Sequence, residues 1–155
     1  MPIKKLLLSL ALAGLILVLG QYPVLAADDP MDLDNITEEQ LKKEPPLTQK
    51  DIDLFLEFIN VSSQLSTEGT EEQLLERGKN AAIKFIQDNK ITPVRLRYIG
   101  AKIPAVMVFA QNPASQPPAD SDQAYLIPSA AEKKLVQDNQ PKIMTVLQGL
   151  APPAN

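Results

Sequence analysis

Apolar residues form a run from Leu6 to Leu19, interrupted only by Ser9 and Gly14, and from Leu47 onward they recur at three- and four-residue intervals. That second rhythm is the repeat of helices that bury one face each. A first substantial helix is predicted from Thr48, which caps it, with Asp51 in the third helical position and Leu47 placed to pack on Ile52. Ile52, Phe55, Leu56, Ile59 and Leu65 share its inner face, and Asp51, Asp53 and Glu57 are expected to face water. Gly69 breaks the pattern. A second helix starts at the Thr70 cap, with Leu74, Leu75, Gly78, Ala81, Ala82, Phe85 and Ile86 as its stripe. Gly78, Ala81 and Ala82 are small enough for a neighbouring helix to approach closely.

Thr92-Pro93 opens a third helix, with proline in the first helical position where its missing N–H costs nothing. Leu96, Ile99, Ile103, Met107 and Ala110 form its predicted inner stripe, and Pro104 is expected to kink it. Beyond Pro104 the run Ala105 to Ala110 is apolar on every side, which suits either full burial or contact with a partner. The prolines between Asn112 and Asp120 make a loop. Ser129-Ala130-Ala131-Glu132 is a capping box for the last helix, whose apolar face is Leu135, Val136, Ile143, Met144, Leu147 and Leu150. Pro141 is expected to kink or split that helix near Asn139. Strand signals are sparse, so the predicted fold is all-α: a compact bundle of about four helices with proline kinks.

Ahead of the bundle, Ile36 to Leu41 reads as a short helix with Thr37 as cap, ended by Pro45-Pro46. Asp28 to Asp34 is acidic and nearly without apolar residues, and residues 27–46 are therefore expected to be a flexible acidic leader. The block from Leu6 to Leu19, with Lys4 and Lys5 before it and Val24-Leu25-Ala26 after it, has the three-part form of a secretory signal peptide. Cleavage is expected after Ala26, giving an exported, periplasmic or secreted chain with no membrane span. A retained anchor from Leu6 to Ala27 is the alternative. The expected organisation is then signal peptide 1–26, leader 27–46, a single helical domain 47–150 and a proline-bearing tail 151–155.

Composition narrows the chemistry. The chain has no Cys and no His, which removes disulfides, Ser-His-Asp and Cys-His nucleophile systems, and the usual zinc, haem and iron–sulfur ligands. Without Lys4 and Lys5 there are 13 basic and 19 acidic residues, a net of −6, and no basic stripe suited to nucleic acid. Asp28, Asp29, Asp32, Asp34 and Asn35 are the densest oxygen cluster, but Thr37 and Lys43 occupy the places where a calcium loop starting at Asp32 needs Gly and Glu. No metal or cofactor is therefore expected. Asp53 and Glu57, one turn apart, are a candidate hydrolytic pair, though an exposed polar face accounts for them as well.

Arg95, Tyr98 and Lys102 share one side of the third helix and could receive an anionic group, or the acidic leader of the same chain. With Ile103, Val108 and Phe109 they make a candidate partner or ligand surface: exposed, Val108 and Phe109 form an apolar patch, and covered, they are core. The leading expectation is a non-enzymatic, exported binding module that holds a protein segment in an apolar groove beside the third helix. A carrier of a small apolar ligand between Gly78, Ala81 and Ala82 on one side and Leu96 and Ile99 on the other is the alternative. A carboxylate hydrolase comes last.

Overall fold

A computed structural model of the protein describes residues 33–149. The signal segment, residues 27–32 and the 151–155 tail lie outside those residues. Among the described residues the regular structure is entirely helical: α1 Glu38–Lys42, α2 Gln49–Ser63, α3 Glu71–Asn89, α4 Pro93–Gln111 and α5 Ala130–Gly149. Two short 3₁₀ turns, Pro113–Ser115 and Asp122–Leu126, lie between α4 and α5.

The helix starts follow from local hydrogen bonding. At α1 the Thr37 hydroxyl accepts from the Gln40 N–H, and the Gln40 side chain accepts in return from the Thr37 N–H. Thr70 and Gln73 repeat this reciprocal pair at α3, and Ser129 and Glu132 at α5. At α2 the Asp51 carboxylate reaches back to both the N–H and the hydroxyl of Thr48. Thr92 caps α4 with Pro93 in its first turn. Each box satisfies amides that the first helical turn leaves without partners. Gly69, just before the α3 cap, sits at φ +124°, where a side chain would be strained and would meet those of Arg77 and Gln73.

Both interior prolines lie within unbroken helices, so Pro141 does not split α5. Losing one backbone bond costs about 3 kcal/mol. Each proline is flanked by deeply buried neighbours, Ile103 and Val106 around Pro104 and Val136 and Ile143 around Pro141. Burying each such side chain contributes about 2 kcal/mol, enough together to hold the helix through the gap.

α2 and α4 pack on each other, and both α3 and α5 pack on that central pair. α2 and α3 are antiparallel across Phe58 and Phe85, whose rings lie 5.1 Å apart. α5 is parallel to α2: Leu47, Gln49 and Asp53 meet Glu132, Asn139 and Lys142 in that order. The 112–129 connection therefore carries the chain back along the bundle, so that α2, α4 and α5 all start at one end, here called the base. Their last turns and the first turn of α3 lie at the far end.

Central placement explains where the inner faces differ from expectation. α2 also buries Leu54 and Phe58, and its Asp51, expected in water, is only 4 % exposed. On α4 the large buried apolar side chains are Leu96, Tyr98, Ile99, Ile103, Val106 and Phe109, whereas Met107 is half-buried and Ala110 exposed. Leu33 and Leu41 are buried in the core and Ile36 packs against it. From Leu33 onward, the expected flexible leader is therefore part of the folded domain.

Candidate functional site

Arg95, Tyr98 and Lys102 do stand on one side of α4, but that side faces inward. Arg95 spends all five of its N–H bonds within the chain. Its Nε and Nη2 donate to the two Asp51 oxygens at 3.0 and 2.6 Å, and its remaining donors reach Glu44, Pro45 O and Pro46 O. Of the alternatives read from the sequence, the acidic segment of the same chain is the one that meets this guanidinium. Burial would push the Asp51 carboxyl up, but Arg95 and the Thr48 hydroxyl and amide together hold it below its ordinary value.

One turn further along α4, Tyr98 lies between two cations, with the Arg95 guanidinium 5.1 Å and the Lys102 ammonium 5.6 Å from its ring centre. Its hydroxyl donates to Glu132 Oε1, which also accepts the Leu47 N–H at 3.1 Å. Burial, and then the Glu132 charge, raise the Tyr98 pKa well above the usual phenol range. Lys102 donates to Tyr125 O and Ile127 O and lies 3.6 Å from Glu132 Oε2. Desolvation lowers its pKa against the pull of Glu132. Burial pushes the Glu132 carboxyl up, yet its hydrogen bonds to Ser129 and Leu47 and the nearby Lys102 charge bring it below its ordinary value. No buried polar side-chain atom among the described residues lacks a partner. This array ties the 44–48 segment and the 125–129 loop to α4 and α5, and leaves no free donor for an external anion.

The rest of the expected surface divides. Ile103 is fully buried and Phe109 is 8 % exposed, so both are core. Of the six residues expected to form it, Val108 alone is open, at 37 %. The Asp53 carboxylate, on the exposed side of α2, pairs with Lys142 at 2.7 Å, and Glu57 lies one turn away. Ala82, Leu96 and Ile99 are buried together in the core, while the space beside Gly78 is open. Gly78 thus does not serve the close helix approach expected of it. Among the described residues no three His, Cys, Asp or Glu are grouped to hold a metal ion, and no helix is long and apolar enough to cross a membrane. Asp34, from the acidic cluster, pairs with Lys79 of α3.

A groove of about 460 Å³ runs between the end of α2 and α3. Its apolar lining is Val61, Leu65, Ala81 and Phe85, and its polar lining includes Glu57, Arg77, Asn80, Lys84 and Asp88. Register creates the feature: α2 ends five residues after Phe58, whereas α3 starts fourteen residues before Phe85. At 1.5 Å per residue, the first turns of α3 run about 13 Å past the end of α2. Leu74 lies seven residues before Ala81, and Leu75 seven before Ala82, so both continue the inward face of α3. Nothing in the bundle covers them there, and they are 37 % and 41 % exposed. Arg77 is held beneath by the carbonyls of Ser66, Glu68 and Gln73. Lys84 and Asp88 pair with each other at 2.6 Å.

Leu74 and Leu75 belong to the apolar stripe read from the sequence, but with Leu65 on the first helix and the break at Gly69 the two helices are expected to be similar in length. No local pattern shows that α2 ends at Ser63 and leaves the start of that stripe open. Compared with protein-family models, with curated proteins and with solved structures, the chain matches none.

Proposed function

We infer that the protein is an exported, non-enzymatic interaction module that holds an apolar segment of a protein partner in the groove between α2 and α3. The observation that carries this reading is the uncovered end of the α3 stripe. Leu74, seven residues before Ala81, continues the apolar lining of Val61, Leu65, Ala81 and Phe85 into solvent, and Leu75 stands open beside it. A soluble domain leaves few large apolar side chains so open, and a contiguous set of them marks a contact surface. A partner helix laid in a groove, with apolar anchors at three- and four-residue spacing, is the binding mode such a shape supports. Export rests on the Lys4 to Ala26 pattern.

Carriage of a small apolar ligand is the second reading. The groove volume falls within the range of small-molecule sites, which favours it. One experiment separates the two. A labelled amphipathic helical peptide and an apolar dye are titrated in parallel into the protein and into a Leu74→Asp, Leu75→Asp variant. The module reading predicts that the variant keeps its helicity and unfolding midpoint but loses peptide binding by about tenfold or more. Dye binding without peptide binding would favour the carrier, and peptide affinity unchanged in the variant would rule out this groove.

A further inference from the structure

We propose that residues 33–47 form an acid-released strap, closed over α4 at neutral pH and freed when its carboxylate tethers take up protons, while α2 to α5 stay packed. The inference concerns the base of the bundle and is independent of the groove. Four polar contacts from this segment to the rest of the fold pass through a carboxylate. Asp34 pairs with Lys79 of α3, and Lys42 pairs with Asp122. Glu44 accepts from Arg95, and Glu132 accepts the Leu47 N–H. Arg95 also donates to the Pro45 and Pro46 carbonyls, but Asp51 holds that guanidinium in place. The Lys42–Asp122 pair is exposed and adds least. Glu132 faces Tyr98 and Lys102 of α4 as well, and the neighbouring Tyr125 feels the charges of Arg97 on α4 and Glu38 on α1.

Protonation removes the charge that each tether relies on. Despite the upward push of burial, Asp51 and Glu132 are held below their ordinary values in the folded chain. A form in which their partners have let go therefore binds protons more readily, and it gains population as pH falls. The strap has little else to keep it in place. Its buried side chains are Leu33, Leu41 and Leu47, and α1, with five residues, is too short to persist off the bundle. Pro45 and Pro46 have no N–H with which to continue α1 into α2. By contrast, α2 to α5 share Ile52, Ile86, Ile99, Ile103 and Ile143, each at most 1 % exposed. Segments with few buried contacts open separately from such a core. Because α1 packs on α4 and on the 122–126 turn, release uncovers that side of α4.

The test is an acid titration of the intact protein from pH 7 to pH 3, followed by amide NMR. The Leu41 and Leu47 signals should move to unfolded positions at least about one pH unit above any loss of the α2 to α5 signals. At pH 7, an Asp34→Asn, Glu44→Gln variant should exchange those two amides about tenfold faster than the natural chain, with the gap narrowing in acid. Asp53→Asn, which removes an exposed pair between α2 and α5, should leave both amides unchanged. Loss of strap and helix signals at one midpoint would overturn the proposal, since the segment would then be an ordinary part of the domain. So would strap signals that stay folded to pH 3, or a double variant with the exchange and pH response of the natural chain.

Discussion

The carboxylate of Glu132 accepts from the N–H groups of Leu47 and Ser129 and from the hydroxyls of Tyr98 and Ser129, and it faces Lys102. A proton added there weakens contacts to three segments at once. Its pKa, like that of Asp51, is lower in the folded chain than the ordinary values of 4.5 and 3.8. The unfolded chain therefore takes up protons first, and the stability these two groups contribute is present above about pH 4.5 and lost as pH falls through their folded values. Urea midpoints measured from pH 7 down to pH 3 should fall most steeply below pH 4.5. Glu132→Gln should be less stable at pH 7 and show a shallower acid slope; an unchanged slope would mean that Glu132 is not the acid-sensitive contact. From the sequence, Glu132 was legible as a capping residue because capping is local. Its contact with Leu47, 85 positions away, and that of Arg95 with Asp51, 44 away, left no local trace. Arg95 and Lys102 were recognised as a pair on one helix side, but the direction of that side depends on what packs against it.

Among the elements, α3 is divided: half of it belongs to the core and half does not. Ala82, Phe85 and Ile86 are buried, while residues 71–76 are all exposed. Gly78 lies at the junction, in regular helix, with nothing within 4 Å of where a Cβ would stand. Gly78→Ala should therefore stabilise the protein by about 0.5–1 kcal/mol, by removing backbone freedom from the unfolded chain without a clash. Thermal and urea unfolding would check this, and a loss of stability would show that some group packs closely there. The number and the starts of the main helices were legible because Thr48, Thr70, Thr92 and Ser129 announce them, whereas the end of α2 at Ser63, short of Leu65, was not. The role of the stretch before them was not. Its low apolar content suggested flexibility, yet three apolar residues, Leu33, Ile36 and Leu41, suffice to dock it, together with the Arg95 contacts to Glu44, Pro45 and Pro46.

At the scale of the whole molecule, the two ends of the bundle differ. The base holds the buried ion pairs and the crossing segments 44–48 and 125–129, and no buried side-chain polar atom there lacks a partner. The far end holds the open leucines and, at the end of α4, Val108. An all-α class was readable from periodicity alone, but the parallel run of α5 beside α2 was not, since a repeat of 3.6 residues carries no direction relative to its neighbours. The groove depends on that same arrangement, in which α5 covers the side of the central pair away from α3 and, among the described residues, nothing covers the start of α3. The central claim is that the groove between α2 and α3 is where a partner binds, and residue-resolved NMR tests it most directly. On titration with the amphipathic helical peptide, amide shifts should concentrate at Val61, Leu65, Leu74, Leu75 and Ala81 and leave the Glu132 and Arg95 region unmoved. Shifts centred on Val108 or on the base, with α3 silent, would contradict it.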